Sequence, residues 1–69
     1  MSKWILIEVQ NHDIEEPDTY DSYELAYEEM ERRFNKHKED DWECNIHKKY
    51  ASIQSDFANW DWMIYEVKF

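Results

Sequence analysis

The chain has no glycine at any of its 69 positions. Every turn with a positive φ must therefore be made by a residue carrying a Cβ, and Asn and Asp bear that conformation at least cost. Asn11, Asp13, Asn45 and Asn59 are the positions that fit. The same absence excludes glycine-rich phosphate loops and the nucleotide-dependent enzymes built on them.

Residues 1–69 make a single domain. A chain this short buries only about 60% of its unfolded surface, so its core needs disulfides, a metal or dense aromatic packing. Cys44 is the only cysteine, which rules out an internal disulfide and fits a reducing compartment. Four Trp, five Tyr and three Phe supply the packing instead. No apolar run approaches the about 18–20 residues of a membrane span. The stretch Met1-Ser2-Lys3-Trp4 lacks the apolar region of a secretion signal, and a cytoplasmic location is expected.

Apolar and partly β-branched, Lys3 to Gln10 reads as a strand. Asn11 to Thr19 reads as a polar loop holding the only proline, Pro17. A helix follows, with Asp21 or Ser22 as N-cap and Asp21-x-x-Glu24 resembling a capping box. Tyr23, Ala26, Tyr27, Met30 and Phe34 share one face of it. Glu28 with Arg32 and Glu29 with Arg33 form i,i+4 pairs worth about 0.2–0.5 kcal/mol each. Acids lead and bases follow, as the helix dipole prefers, and the helix is expected to end near Glu39.

Trp42 to Ile46 alternates like a second strand, Tyr50 to Ile53 is a third after a turn at His47-Lys48-Lys49, and Ser55 to Asn59 is a loop. Trp60 to Phe69 is the last strand, apolar enough to be central. Trp4-Ile5-Leu6-Ile7-Glu8-Val9 matches Trp62-Met63-Ile64-Tyr65-Glu66-Val67, so these two strands are expected side by side. Alternation puts Ile5, Ile7, Val9, Met63, Tyr65 and Val67 on one sheet face. Trp4, Leu6, Trp62 and Ile64 lie on the other, which is expected to meet a loop, a partner or a second copy. The fold class is α+β, in the order β-α-β-β-β: a mainly antiparallel sheet with one helix packed on one face.

No chemical site stands out. Cys44-x-x-His47 supplies two zinc ligands where four are needed, and on a strand the two point opposite ways. The ordinary reading is a buried Cys44 and an exposed His47. The twelve residues Asp13 to Glu24 resemble a calcium loop, but Pro17 stands at a ligand position and Asp18 where the sharp turn needs glycine. Cys44 has no local signature of a nucleophile. No metal, cofactor or catalytic group is expected.

The charge distribution says more. Net charge is −9, which argues against direct contact with nucleic acid or an anionic membrane and favours a basic protein surface as partner. From Trp4 to Glu31 there are ten acidic residues and no Lys or Arg. Helix-dipole preference explains only those in the first turn, and Glu24 and Glu28 repel at i,i+4. A one-sign field kept against such repulsion is expected where a basic partner is steered.

The segments Tyr20-Asp21-Ser22-Tyr23-Glu24-Leu25-Ala26-Tyr27-Glu28-Glu29-Met30 and Trp60-Asp61-Trp62-Met63-Ile64-Tyr65-Glu66-Val67, about a third of the chain, resemble those of small acidic proteins of Firmicutes and their phages. These are mostly uncharacterised, and their general type includes anti-CRISPR and antirestriction inhibitors. The resemblance transfers no functional residue. It implies a non-enzymatic inhibitor, acting in the host cytoplasm if phage-encoded, that occupies a basic nucleic-acid-binding protein surface by charge mimicry. Glu15, Glu16, Asp18, Glu24, Glu28 and Glu31 are the candidate contacts, with Tyr20 as an amphipathic anchor. The second reading is an accessory or assembly module, a homodimer included, that binds through an exposed aromatic sheet face with Trp4, Trp60 and Trp62 as contacts.

Overall fold

The computed structural model describes residues 2–68. Its elements are β1 (Ser2–Gln10), β2 (Asp13–Ile14), β3 (Asp18–Tyr20), α1 (Tyr23–His37), β4 (Glu43–Ile46), β5 (Tyr50–Gln54) and β6 (Asn59–Lys68). The strands form one antiparallel sheet in the order β2-β1-β6-β5-β4, with β3 beside β2 on the same edge of β1. The helix packs across one face, which makes the fold α+β as expected. Phe69, expected to end the last strand, lies outside the described residues.

The two strands with matching sequence are neighbours. β1 and β6 pair along their full length, from Ser2 opposite Lys68 to Gln10 opposite Trp60. Both faces of this pair are apolar, and the helix covers the Trp4, Leu6, Trp62 and Ile64 face rather than leaving it for a partner. Leu6, Ile64, Trp60 and Trp62 are buried there beneath Ala26, Met30 and Phe34 of α1, and Ala51 and Ile53 of β5 complete the core. Its bulk comes from rings: Phe34 stands edge-on to Trp62 at 6.3 Å, and His37 and Trp42 stack on Trp60 at 4.7 and 6.0 Å. Burying side chains of this size, each worth about 1.5–3 kcal/mol, is how so short a chain closes a core.

The segment expected to be a polar loop, Asn11 to Thr19, instead turns back and pairs with β1. Asn11 and His12 link β1 to β2 with φ of 51° and 72°, the two positive φ values among the described residues. Two successive positive values are what a tight hairpin turn needs to match strand twist. Asn11 was foreseen; His12 was not. Asp13, Asn45 and Asn59 lie inside strands. Asn11 also ties the turn to β6, since its Oδ1 accepts from the Asn59 amide at 2.9 Å. Between the pairs Val9–Ile14 and Leu6–Asp18, β1 has two residues and the returning chain has three. The extra residue makes a bulge, and Pro17 sits in it, where no ladder donor is required.

The helix starts one residue later than a capping box on Asp21 requires. Ser22 is the N-cap, and its Oγ accepts from the Leu25 amide at 3.2 Å. Asp21 instead pairs with Lys3. At the other end the helix stops at His37, with Lys38 as C-cap, close to the expected end near Glu39.

Candidate functional site

Four of the ten acids in the cation-free run are neutralised by bases from elsewhere in the chain. Arg33 is the centre of this. Its Nη2 lies 2.6 Å from Asp18 Oδ2, its Nε 2.7 Å from Glu29 Oε2 and its Nη1 3.7 Å from Glu8 Oε1. Glu8 also accepts from Trp62 Nε1 at 2.6 Å, which satisfies the one polar atom of the most deeply buried ring. Arg32 bonds Glu29 from the solvent side, so Glu29 serves both arginines, and the expected Glu28–Arg32 pair does not form. The Arg32 bond, with that from Arg33, holds the Glu29 carboxyl down at about 2 against the smaller opposing effect of partial burial. Burial works against the Arg33 charge, but the bonds it donates to Asp18 and Glu29 outweigh that and raise its pKa. Asp21 is taken by Lys3.

The expected contact residues therefore divide into two groups. Glu15, Glu16 and Asp18 line a cleft with Glu8, Arg32, Arg33 and Lys36. Arg33 pairs with Glu8 and Asp18 there, whereas Glu15 and Glu16 are exposed and form no salt bridge among the described residues, so the cleft carries both signs of charge. Tyr20 pairs opposite Trp4 and packs on the core, half-buried, instead of standing out as an anchor. Burial, followed by the charge of Asp18, raises its phenol pKa.

Glu24, Glu28 and Glu31 lie outside that cleft. At about 100° per residue they fall on one stripe of α1 about 60° wide, on the far side of the helix from Arg33. All three are exposed, and none forms a salt bridge among the described residues. Leu25, beside them, is 49% exposed. An exposed leucine on an otherwise well-patterned helix is a feature the sequence reading passed over. Its signal was present, because Leu25 falls outside the Tyr23-Ala26-Met30-Phe34 face.

The aromatic contacts of the second reading move as well. Trp60 and Trp62 are buried, and Trp4 is half-buried against the edge of Tyr23 at 5.4 Å, with the Lys49 ammonium 5.7 Å above its ring. The uncovered face carries Ile5, Ile7, Val9, Met63, Tyr65 and Val67, with Tyr65 51% exposed. Cys44 is half-buried, its Sγ 3.7 Å from the Glu39 carbonyl, and His47 is exposed beside Tyr50. Among the described residues no three His, Cys, Asp or Glu side chains gather as metal ligands, and no helix is long and apolar enough to cross a membrane. No family model, curated protein or solved structure matches this chain.

Proposed function

We propose that the chain is a non-enzymatic inhibitor of the anti-CRISPR or antirestriction type, working in the cytoplasm by occupying a basic nucleic-acid-binding surface of a partner protein. The observation that carries this reading is the unpaired Glu24-Glu28-Glu31 ridge on a helix that pairs its one other acid, Glu29, internally. Three like charges within about two helical turns repel one another, and pairing with Lys and Arg of a partner would relieve that repulsion. The ridge stands on a helix pinned to a packed sheet, so the backbone that carries the carboxylates is already ordered before it meets a phosphate-binding surface. Leu25 supplies an apolar contact within the charged surround.

The test is affinity capture from the source cell, followed by displacement of the captured protein with duplex DNA. Reversing Glu24, Glu28 and Glu31 to Lys is expected to abolish capture. Reversing Glu39, Asp40 and Asp41, which changes the net charge equally, is expected to leave it. Binding is also expected to fall steeply as salt shortens the screening length from about 10 Å at 0.1 M to about 3 Å at 1 M. Capture that survives the ridge reversal, or that DNA does not displace, sinks the proposal.

A second reading, an assembly module, draws support from the uncovered sheet face. Its contacts would be Ile5, Ile7, Met63, Tyr65 and Val67, and its association would persist or strengthen in sulfate.

A further inference from the structure

The sheet has a gap in it. β5 pairs with β6 only from Asn59 to Met63 and ends its hydrogen bonding where the Ile64 amide donates to the Lys49 carbonyl at 2.9 Å. β1, on the other side, continues to Lys68. From Tyr65 to Lys68, therefore, β6 has no neighbouring strand on its β5 side among the described residues.

The direction of each backbone group there follows from the ladder. The Asn11 amide donates to the Asn59 carbonyl, so odd-numbered residues of β6 bond β1, and Ile64 and its even-numbered fellows face β5. The amides and carbonyls of Glu66 and Lys68 thus point into the gap. Further along, Ser2 and Lys3 have no β3 partner, so the end of the sheet is a two-stranded ribbon. Such ribbons are marginal in water without a third strand.

The other edges of the sheet are defended. The β2–β3 edge carries a bulge, Pro17 and acidic side chains, and β4 spans four residues with Glu43 outward. Tyr65 to Lys68 has neither proline nor bulge. Its two charges, Glu66 and Lys68, stand two residues apart with opposite sign, and between them Val67 is an apolar side chain on the uncovered face.

This spacing is self-complementary. The geometry points to a homodimer in which β6 of a second copy adds antiparallel to β6, with Val67 opposite Val67 of the second copy. In that register Glu66 faces Lys68 of the second copy and Lys68 faces its Glu66. Both are hydrogen-bonded pairs, because both residues direct their backbone into the gap. Paired residues share a sheet face, so Tyr65 and Val67 of both copies line one apolar strip within diagonal reach. The bodies lie end to end, away from each other, because the strands run in opposite directions and each helix covers β6 only up to Ile64. The inference does not rest on the acidic ridge and concerns backbone edges rather than the open face.

Sedimentation of the full chain over a concentration series, with amide hydrogen exchange at each concentration, tests it. Reversible dimerisation is expected, with the Glu66 and Lys68 amides gaining protection as concentration rises while those of Tyr65 and Val67, already bonded to β1, stay unchanged. Glu66→Lys or Lys68→Glu turns both cross-strand pairs repulsive and should weaken the dimer about tenfold. The double reversal Glu66→Lys with Lys68→Glu should restore it. These residues are exposed, and far-UV circular dichroism checks that each variant keeps its fold. A chain that sediments as a monomer throughout overturns the inference. So does a dimer that ignores the single reversals, or one whose protection appears elsewhere.

Discussion

Arg33 draws carboxylates from β1, β3 and its own helix, and its removal would leave three acids facing one another, two of them, Glu8 and Glu29, at low exposure. Glu29, held at about 2 against an ordinary 4.5, reports on this cluster through pH. Its folded-state pKa is depressed, so the stability it contributes is complete above about 4.5 and is lost as pH falls towards about 2. The difference in urea midpoint between the native chain and Glu29→Gln is expected to be largest at neutral pH and to vanish at the acid end of that window. At the β1–β2 turn, His12 holds a positive φ that glycine would adopt freely. His12→Gly is expected to raise stability by about 0.5 kcal/mol, the relief of left-handed strain less the added freedom of the unfolded chain. A lower denaturation midpoint in that variant would show that the His12 ring makes a contact worth more than the strain. Of these features the sequence showed the i,i+4 pair of Glu29 with Arg33, which forms as expected. The other partners of Arg33, Glu8 and Asp18, are distant along the chain, and His12 is less usual than Asn or Gly in such a turn.

The elements were legible where burial writes a period. Ser22 and the Tyr23-Ala26-Met30-Phe34 spacing specify α1, and the shared Trp-x-x-x-Glu-Val pattern specifies β1 and β6 as neighbours. β2 and β3 were missed because an exposed edge strand is held by backbone bonds alone and needs no apolar alternation. The covered face was misassigned for another reason. Both faces of β1 are apolar, so period two sorts the residues correctly but cannot say which set meets the helix. Volume decides it: Trp60 and Trp62 fill the space under Met30 and Phe34, whereas Ile5, Ile7 and Val9 remain half-buried. Leu6→Ala is accordingly expected to cost about 2–5 kcal/mol and Ile7→Ala about 1 kcal/mol, read from chemical denaturation. Equal losses would contradict the placement of the helix.

Across the whole molecule, 41 by 21 by 14 Å, the candidate site was half legible. The acidic run stood out in the sequence, but its division did not: a count of charges cannot separate carboxylates that brace the fold from those left for solvent. The elongation comes from β1 and β6, which outrun the helix and the other strands. Nine residue pairs join these two strands, and they lie at opposite ends of the sequence. The central contact of the sheet thus closes a loop of roughly fifty residues, an entropic cost that rises only slowly with length but must be met before the contact gives any return. Local hairpins, β1 with β2 and β4 with β5, can form early, while Trp62 has no place to go until the last strand arrives. Folding is therefore expected to be slow for a domain of this size, on the order of milliseconds to seconds, and a ribosome would hold an incomplete sheet with its tryptophan slot open until translation of β6 is finished.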